Sequence, residues 1–558
     1  MALGSTAKLR TMVHYLEIME GLHKDYAMLD SDAIANYEKQ ARDPLTRWAC
    51  ETLRENPGAP VDSFLTWSLD RTYSGSPYEV FFTGGGQHSF VNFDPADNHR
   101  KLSIRDAAAR STNLVFVRLM RDIERYHEAR LPYDADRVLS GADSLTRARM
   151  MNEIADDESR GALSRAYRAY RGLSPEETVA RLLGTKGHSP RHLAIAYMAW
   201  HPGAGADSVH LAATSDSLGA WLARFGAATD PQETPATLLS RYGGPWLGLE
   251  DYAYLLDKHP LELWCAGALL RDPKLSWEDV FARSADARTL SSAWLFRTRN
   301  RHAQDLRLRT RIERDAFEHM TPYWTRLGFP FRYLVPSYAT AIGSSADRPA
   351  ALASLVGLLV NDGVDRGSEN IRRLVFAPGT PYHTAMETNP PRERRLLSAS
   401  IARAARSVLT GVVENGTARR VKGIFRAPDG TPIPVGGKTG TGDNRYETFA
   451  RGGRVTSSQV LSRTAAFTFF IGDRYYGVVT ASVFGREAGQ YEFTSALPLR
   501  VLELMAPSLT RRWNAPADAA QYVQSPPKLL EHLDLNAARP VEHVDAHVPL
   551  VPANHEVD

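Results

Sequence analysis

The stretch Gly436-Gly437-Lys438-Thr439-Gly440-Thr441-Gly442, approached through Thr431-Pro432-Ile433-Pro434-Val435, decides how the chain is read. Pro432 and Pro434 hold the approach extended, because proline fixes its own φ and biases the residue before it away from helix. Residues 435–441 then continue as a strand, although glycine weakens strands. Glycine is useful there if another backbone must come close, as a peptide laid along a sheet edge does. Lys438 would set a cation beside such a peptide, and Thr439 and Thr441 would offer hydroxyls to a carboxylate. The plainer alternative is a glycine-rich strand leading into a hairpin, with no chemistry.

A second motif opens the chain: Gly4-Ser5-Thr6-Ala7-Lys8-Leu9. Apolar residues at Leu9, Met12 or Val13, Leu16, Met19 and Leu22 recur with helical period. Ser5 and Lys8, three apart, share one face of the first turn. A serine hydroxyl is a weak nucleophile until a neutral amine takes its proton. Burial and a second cation, for which Lys438 is the candidate, would keep Lys8 neutral. The helix N-terminus would also favour an oxyanion at Ser5. A plain N-cap serine beside a solvated lysine is the competing reading. The same spacing recurs at Ser525-Pro526-Pro527-Lys528, in a proline-containing tail, and is read as a chance match.

The third motif is Ser111-Thr112-Asn113, between a short helix over 102–110 and an apolar helix beginning at Leu114. A hydroxyl at such a junction can relay a proton, and an amide can hold a substrate backbone. Ser368-Glu369-Asn370 is a weaker match, because it precedes a strand-like 371–376 with no helical frame.

The order Ser-x-x-Lys, Ser-x-Asn, Lys-Thr-Gly-Thr resembles that of penicillin-binding protein transpeptidase domains. The surroundings are most similar to the class A, bifunctional members. Resemblance extends through Leu102-Ser103-Ile104-Arg105-Asp106, Phe116-Val117-Arg118-Leu119, Leu334-Val335-Pro336-Ser337-Tyr338-Ala339, Leu358-Leu359-Val360-Asn361-Asp362-Gly363 and Val412-Val413-Glu414-Asn415-Gly416-Thr417-Ala418. It implies an α+β fold of the serine β-lactamase and penicillin-binding protein type, an antiparallel sheet flanked by helices. It implies Ser5 as nucleophile, Lys8 as base, and Ser111 and Asn113 as proton relay and positioning group. The backbone amides of Ser5 and Thr441 would form the oxyanion hole, while Lys438, Thr439, Gly440 and Thr441 would bind the substrate. That substrate would be a peptidoglycan stem ending in D-Ala-D-Ala, and β-lactams would acylate the same serine. No cofactor or metal is implied. A D,D-carboxypeptidase or β-lactamase would share every motif, and an inactive cell-wall scaffold could keep the fold.

The resemblance covers about 1–130 and 320–505. It divides the chain into a first transpeptidase part (1–134), a helical insertion (135–318), a second transpeptidase part (319–510) and a loosely ordered tail (511–558). The insertion is a candidate surface for cell-wall assembly proteins. Its arginines between Arg297 and Arg314 are interleaved with acids, which favours a solvated face.

The net charge of +3 in 558 residues argues against nucleic acid as a partner. Cys50 and Cys265 have no metal-ligand spacing and read as buried free thiols. No apolar run of about 18 residues is present, and no signal peptide precedes Ser5. The resemblance nevertheless implies work at the periplasmic face of the cytoplasmic membrane, so Met1 is read as an internal methionine or as the start of a truncated gene.

Four local expectations follow. Trp48 and Trp67 anchor the core. Phe81-Phe82-Thr83 pairs with Phe90-Val91-Asn92-Phe93 across Gly84-Gly85-Gly86, which cannot be a phosphate loop because no Lys-Ser/Thr follows. Residues 443–459 form a polar loop. Strands over 465–471 and 476–484 meet at Gly472-Asp473-Arg474, the second being an unprotected edge, and a helix over 496–504 closes the domain.

Overall fold

The computed structural model describes residues 1–514 except 2, 202–210, 228–230, 368–370, 372, 388–391 and 450–454. Ser368-Glu369-Asn370 and Ser525-Pro526-Pro527-Lys528 lie outside the described residues. The fold is α+β, with a three-stranded antiparallel sheet flanked by helices.

The sheet is built on its middle strand, Val455–Ile471, paired with Val435–Phe449 on one side and Tyr475–Phe484 on the other. Residues 464–471 are all buried, so this half of the strand is covered on both faces. Alternation splits it. Ala466 and Phe470 join the main core with helices Ala7–Tyr26, Pro349–Val360 and Ala399–Asn415. Phe467, Phe469 and Ile471 join a second cluster under the closing helix, Ala496–Asn514. Gly436 is needed for the molecule's own packing: a Cβ there would enter the Phe470 ring and crowd the backbone of Thr410. The clearance read as room for a substrate peptide is thus filled at this position by helix and ring.

The first helix, Ala7–Tyr26, is preceded by a 3-10 turn at Gly4–Thr6 and runs through the middle of the core. Arg10, completely buried on it, pairs with Asp347, donates to the carbonyls of Thr340 and Ser345, and stacks over Trp324, Phe329 and Phe331. Helices Ile104–Arg110 and Asn113–Glu128 meet at Ser111, as their pattern predicts.

The described residues between 163 and 287 form a separate helical core around Leu193, Trp200, Leu218, Leu261 and Cys265. Helix Arg301–Thr325 joins it to the rest. Leu308 and Ile312 pack in a small cluster with Val138 and Met150, whereas Phe317, Met320 and Trp324 belong to the main core. Residue 318 therefore falls inside a continuous helix. Three of its arginines are paired with acids from this helix or its neighbour: Arg307 with Glu158, Arg311 with Glu153 and Asp315, Arg314 with Asp157 and Glu318. Exposed pairs of this kind contribute about 0–1 kcal/mol each.

Several local expectations are corrected. Phe81–Thr83 pairs with Gly86–His88, because two glycines with positive φ turn the chain at once. The expected polar loop over 443–459 is instead strand at 443–449 and 455–459, held by ladder bonds and by Thr448 hydroxyl contacts to Thr456 at 2.8 Å and Ser457 at 2.7 Å. Both its faces are solvated, so it carries no apolar alternation to betray it. Trp48 packs on the core, but Trp67 is exposed because Phe64, Leu65, Ser68 and Leu69 take the inward face of its helix. The closing helix reaches Asn514. Strand Tyr475–Phe484 is the edge of the sheet among the described residues. Cys50 and Cys265 are buried free thiols. Among the described residues no helix is long and apolar enough to cross a membrane.

The main core also holds three linked histidines. His14 and His127 meet through their Nε2 atoms at 2.8 Å, and His127 and His319 through their Nδ1 atoms at 2.9 Å. Burial, then the charges of Arg326 and His319, push His14 from 6.5 down to about 3. Burial likewise pushes His127 well down, with His14, His319 and Arg130 adding to it. A base with a depressed folded pKa contributes stability that is present above its unfolded pKa and lost as pH falls. The two histidines should therefore add no slope to the thermal midpoint above pH 7 and should lower it as pH drops below about 6.5. His14→Gln/His127→Gln should flatten that slope. A wild-type midpoint unchanged between pH 7 and pH 5 would contradict this.

Candidate active site

Ser5 lies in the 3-10 turn ahead of the first helix, half-buried, with Lys8 one turn on. Lys8 is 1% exposed, and its Nζ sits 3.0 Å from Ser5 Oγ, 2.8 Å from Asn113 Oδ1, 2.5 Å from the Ser111 carbonyl and 3.2 Å from Ser111 Oγ. Four acceptors around one nitrogen exceed the three protons of an ammonium. A neutral amine makes as many of these bonds without burying a charge: it donates to Asn113 and the Ser111 carbonyl and accepts from the Ser5 hydroxyl. Burial, and then the charge of Lys438, push the Lys8 amine well below its ordinary value, with Asp97 pulling the other way.

Lys438 arrives on strand Val435–Phe449, opposite Thr468. It is also 1% exposed, and burial lowers it to about 7. Its Nζ donates to Ser111 Oγ at 2.9 Å and the Thr439 carbonyl at 3.0 Å. Ser111 Oγ thus lies between two lysine amines. Thr439 Oγ1 contacts Thr417 Oγ1 at 2.7 Å. Thr441 Oγ1 accepts from Ser495 N at 3.1 Å. A Cβ on Gly440 would run into the Leu3 carbonyl and crowd Thr6, so this glycine lets the strand lie against the turn that carries Ser5.

The structure brings Ser5, Lys8, Ser111, Asn113, Lys438 and Thr439 into one hydrogen-bonded cluster, with Gly440 and Thr441 next along the strand. Two contributors were missed in the sequence. Thr417 lies in a stretch quoted for its resemblance, but nothing local ties its hydroxyl to Thr439. Asn92 Oδ1 accepts from the backbone of Asn113 at 3.1 Å and Leu114 at 3.0 Å, capping the helix across a long loop with no local signal. The Asn113 amide is half used, donating to the Val91 carbonyl at 2.9 Å. Among the described residues no group of His, Cys, Asp or Glu is arranged to hold a metal.

No protein-family model matches the chain, and no curated protein sequence matches it. Among solved structures it is similar to penicillin-binding protein 3 from Mycobacterium tuberculosis complexed with aztreonam: 20% identity, TM-score 0.24, covering 42% of this chain and 50% of that one. It is also similar to penicillin-binding protein A from M. tuberculosis as an imipenem acyl-enzyme complex, at 12% identity and TM-score 0.32, covering 91% of this chain and 60% of that one. A third is the D,D-transpeptidase domain of a peptidoglycan glycosyltransferase from Eggerthella lenta, at 14% identity and TM-score 0.28, covering 91% and 66%. The chain spans half the length of the first of these. At such identities and TM-scores the likenesses carry no weight in reading the site, which rests on contacts within this chain.

The fit between strand and turn gives a stability test. Gly440→Ala should cost roughly 1–3 kcal/mol, the usual penalty for forcing a methyl into packed backbone, measured by urea unfolding. Gly411→Ala, inside helix Ala399–Asn415 with nothing within 4 Å of the added methyl, should instead be as stable as the wild type or more so. Gly440→Ala as stable as the wild type would remove the close contact.

Proposed function

We propose that the chain is a serine acyltransferase of the D,D-transpeptidase kind, acting on peptidoglycan stem peptides that end in D-Ala-D-Ala. The single observation that carries this reading is the Lys8 amine, buried beside a second lysine and within hydrogen-bond reach of Ser5, Ser111 and Asn113 at once. A lysine deprived of solvent and charge is a base matched to a serine hydroxyl near neutral pH.

In this reading Ser5 Oγ attacks the penultimate D-Ala carbonyl while Lys8 Nζ takes the hydroxyl proton. The resulting oxyanion faces the backbone amides of Ser5 and Thr441, an arrangement that stabilises charge as it develops. The bond to the terminal D-Ala breaks, and its nitrogen receives a proton through Ser111 Oγ, which touches both lysines. Lys438 and the Thr439 and Thr441 hydroxyls hold the terminal carboxylate. The free proton of the Asn113 amide holds the peptide backbone. An acceptor amine then attacks the Ser5 ester, gives up a proton, and restores the hydroxyl. β-Lactams carry a carboxylate and a strained amide in the same relation and would acylate Ser5. Such work belongs at the periplasmic face of the membrane, with the 135–318 helices available to cell-wall assembly proteins.

Intact-mass measurement after exposure to benzylpenicillin tests the reading. One covalent adduct is expected on the wild type and none on Ser5→Ala. Retention of the adduct by Ser5→Ala would assign the nucleophile elsewhere. Lys438→Ala should slow acylation by about tenfold or more and move its acid limb to higher pH, because the Lys438 charge is what, after burial, holds Lys8 down. Incubation with a D-Ala-D-Ala peptide and an added amine then separates transfer from hydrolysis by the product formed.

A further inference from the structure

The loop from Asn92 to Asp97 belongs to none of the three motifs, yet it grips both sides of Ser111. Asp97 is 1% exposed. One of its carboxylate oxygens accepts from Thr112 Oγ1 at 2.6 Å and the other from Arg110 Nε at 2.6 Å. Arg110 is the residue before Ser111 and Thr112 the residue after it. Between them Ser111 is held at φ 62° and ψ 34°, in the left-handed region. That conformation costs a residue other than glycine about 1–2 kcal/mol and persists only where neighbours impose it. Thr112 stands at the helix N-cap but its side chain does not cap, because the hydroxyl is committed to Asp97. Asn92 supplies the cap in its place.

A carboxylate is an expensive acceptor to bury, and a neutral group could satisfy Thr112. Arg110 does not require it either, being partly exposed and within 3.5 Å of Asp94. What needs a buried negative charge here is the pair of lysines. Lys8 and Lys438 are buried together on Ser111 Oγ, and among the described residues no carboxylate is hydrogen-bonded to either. The charges acting on Lys8 come from Lys438 on its strand and Asp97 on this loop, with the Phe116 ring 5.7 Å from its nitrogen.

We propose that Asp97 is a positioning residue for the Ser5–Lys8 chemistry: through Thr112 and Arg110 it fixes the left-handed turn that aims Ser111 and Asn113 at Lys8, and its charge opposes that of Lys438 at the Lys8 amine. The inference rests on the reading of Ser5 as nucleophile. The two halves of the role can be separated. Asp97→Asn keeps an oxygen for Thr112 and loses the charge, while Arg110 turns to Asp94. Thr112→Val keeps the charge and loses the tether. Thr112→Ser keeps both.

The experiment measures second-order acylation by a fluorescent penicillin from pH 5 to pH 9.5, with circular dichroism confirming native fold. Thr112→Val should be slowed about tenfold or more at every pH, as expected when a catalytic group is misaimed, and Thr112→Ser should restore the rate. Asp97→Asn should displace the acid limb to lower pH, because Asp97 is the group that raises Lys8. This is the opposite direction from Lys438→Ala. Thr112→Val at the wild-type rate together with Asp97→Asn on the wild-type acid limb would overturn the role of Asp97 while leaving the nucleophile in place. A wild type that is never acylated would overturn the reading of Ser5 and this inference with it.

Discussion

One nitrogen atom holds the site together. Lys8 Nζ lies within hydrogen-bond distance of a turn at the start of the chain, of a helix junction a hundred residues later and, through Ser111 Oγ, of a lysine on the central sheet. Burying a fully charged ammonium at that point would cost several kcal/mol. The neutral amine avoids most of that cost and satisfies the acceptors around it, so the requirement for burial and the requirement for a base coincide. The rest of the core fixes the helix that carries Lys8. Arg10, two residues on, is locked by Asp347 and three aromatic rings, so the helix can neither rotate nor slide without breaking a buried ion pair.

The sheet answers the same constraint from the other side. Lys438 reaches Ser111 because its strand is packed between helices and against the Ser5 turn, at places where Gly436 and Gly440 remove the side chains that would hold them apart. The middle strand supplies the rigidity, since residues 464–471 are buried on both faces and bonded to a neighbour on each edge. The outer end of the hairpin has no such cover and is held by its ladder and by exposed side-chain hydrogen bonds, among them those of Thr448 and Ser458.

What could be read from sequence was what short-range chemistry encodes. Ser5 and Lys8 three apart, Ser111 and Asn113 at a break between helices, and Lys438 in a glycine-rich strand all carry their meaning within a few residues. So does the alternation that places 465–471 and 476–484 in strands. Where a partner lies far away in the chain, no local pattern announces it. Asn92 and Asp97 meet the Ser111 turn only after a loop folds back, and Thr417 meets Thr439 across a helix end. The strands at 443–449 and 455–459 read as a loop because both faces are wet. Trp67 reads as a core anchor, whereas its helix gives the inner face to Phe64 and Leu65. Residue 318 marks where resemblance resumes, but resemblance of sequence need not stop at an element's end.

That last point gives helix Arg301–Thr325 a mechanical meaning. Twenty-five residues at about 1.5 Å each make a rod roughly 38 Å long. One end is bound into the small cluster beside the 163–287 helices, and the other carries Trp324, whose ring lies 4.8 Å from the Arg10 guanidinium. Pro322 removes a backbone hydrogen bond near that end, so the rod is softest there. The rod is also pinned between its ends, where Glu313 accepts from the Thr83 hydroxyl and the Gly84 backbone and His319 meets His127 at 2.9 Å, so the outer cluster and the first helix are tied to one continuous strut.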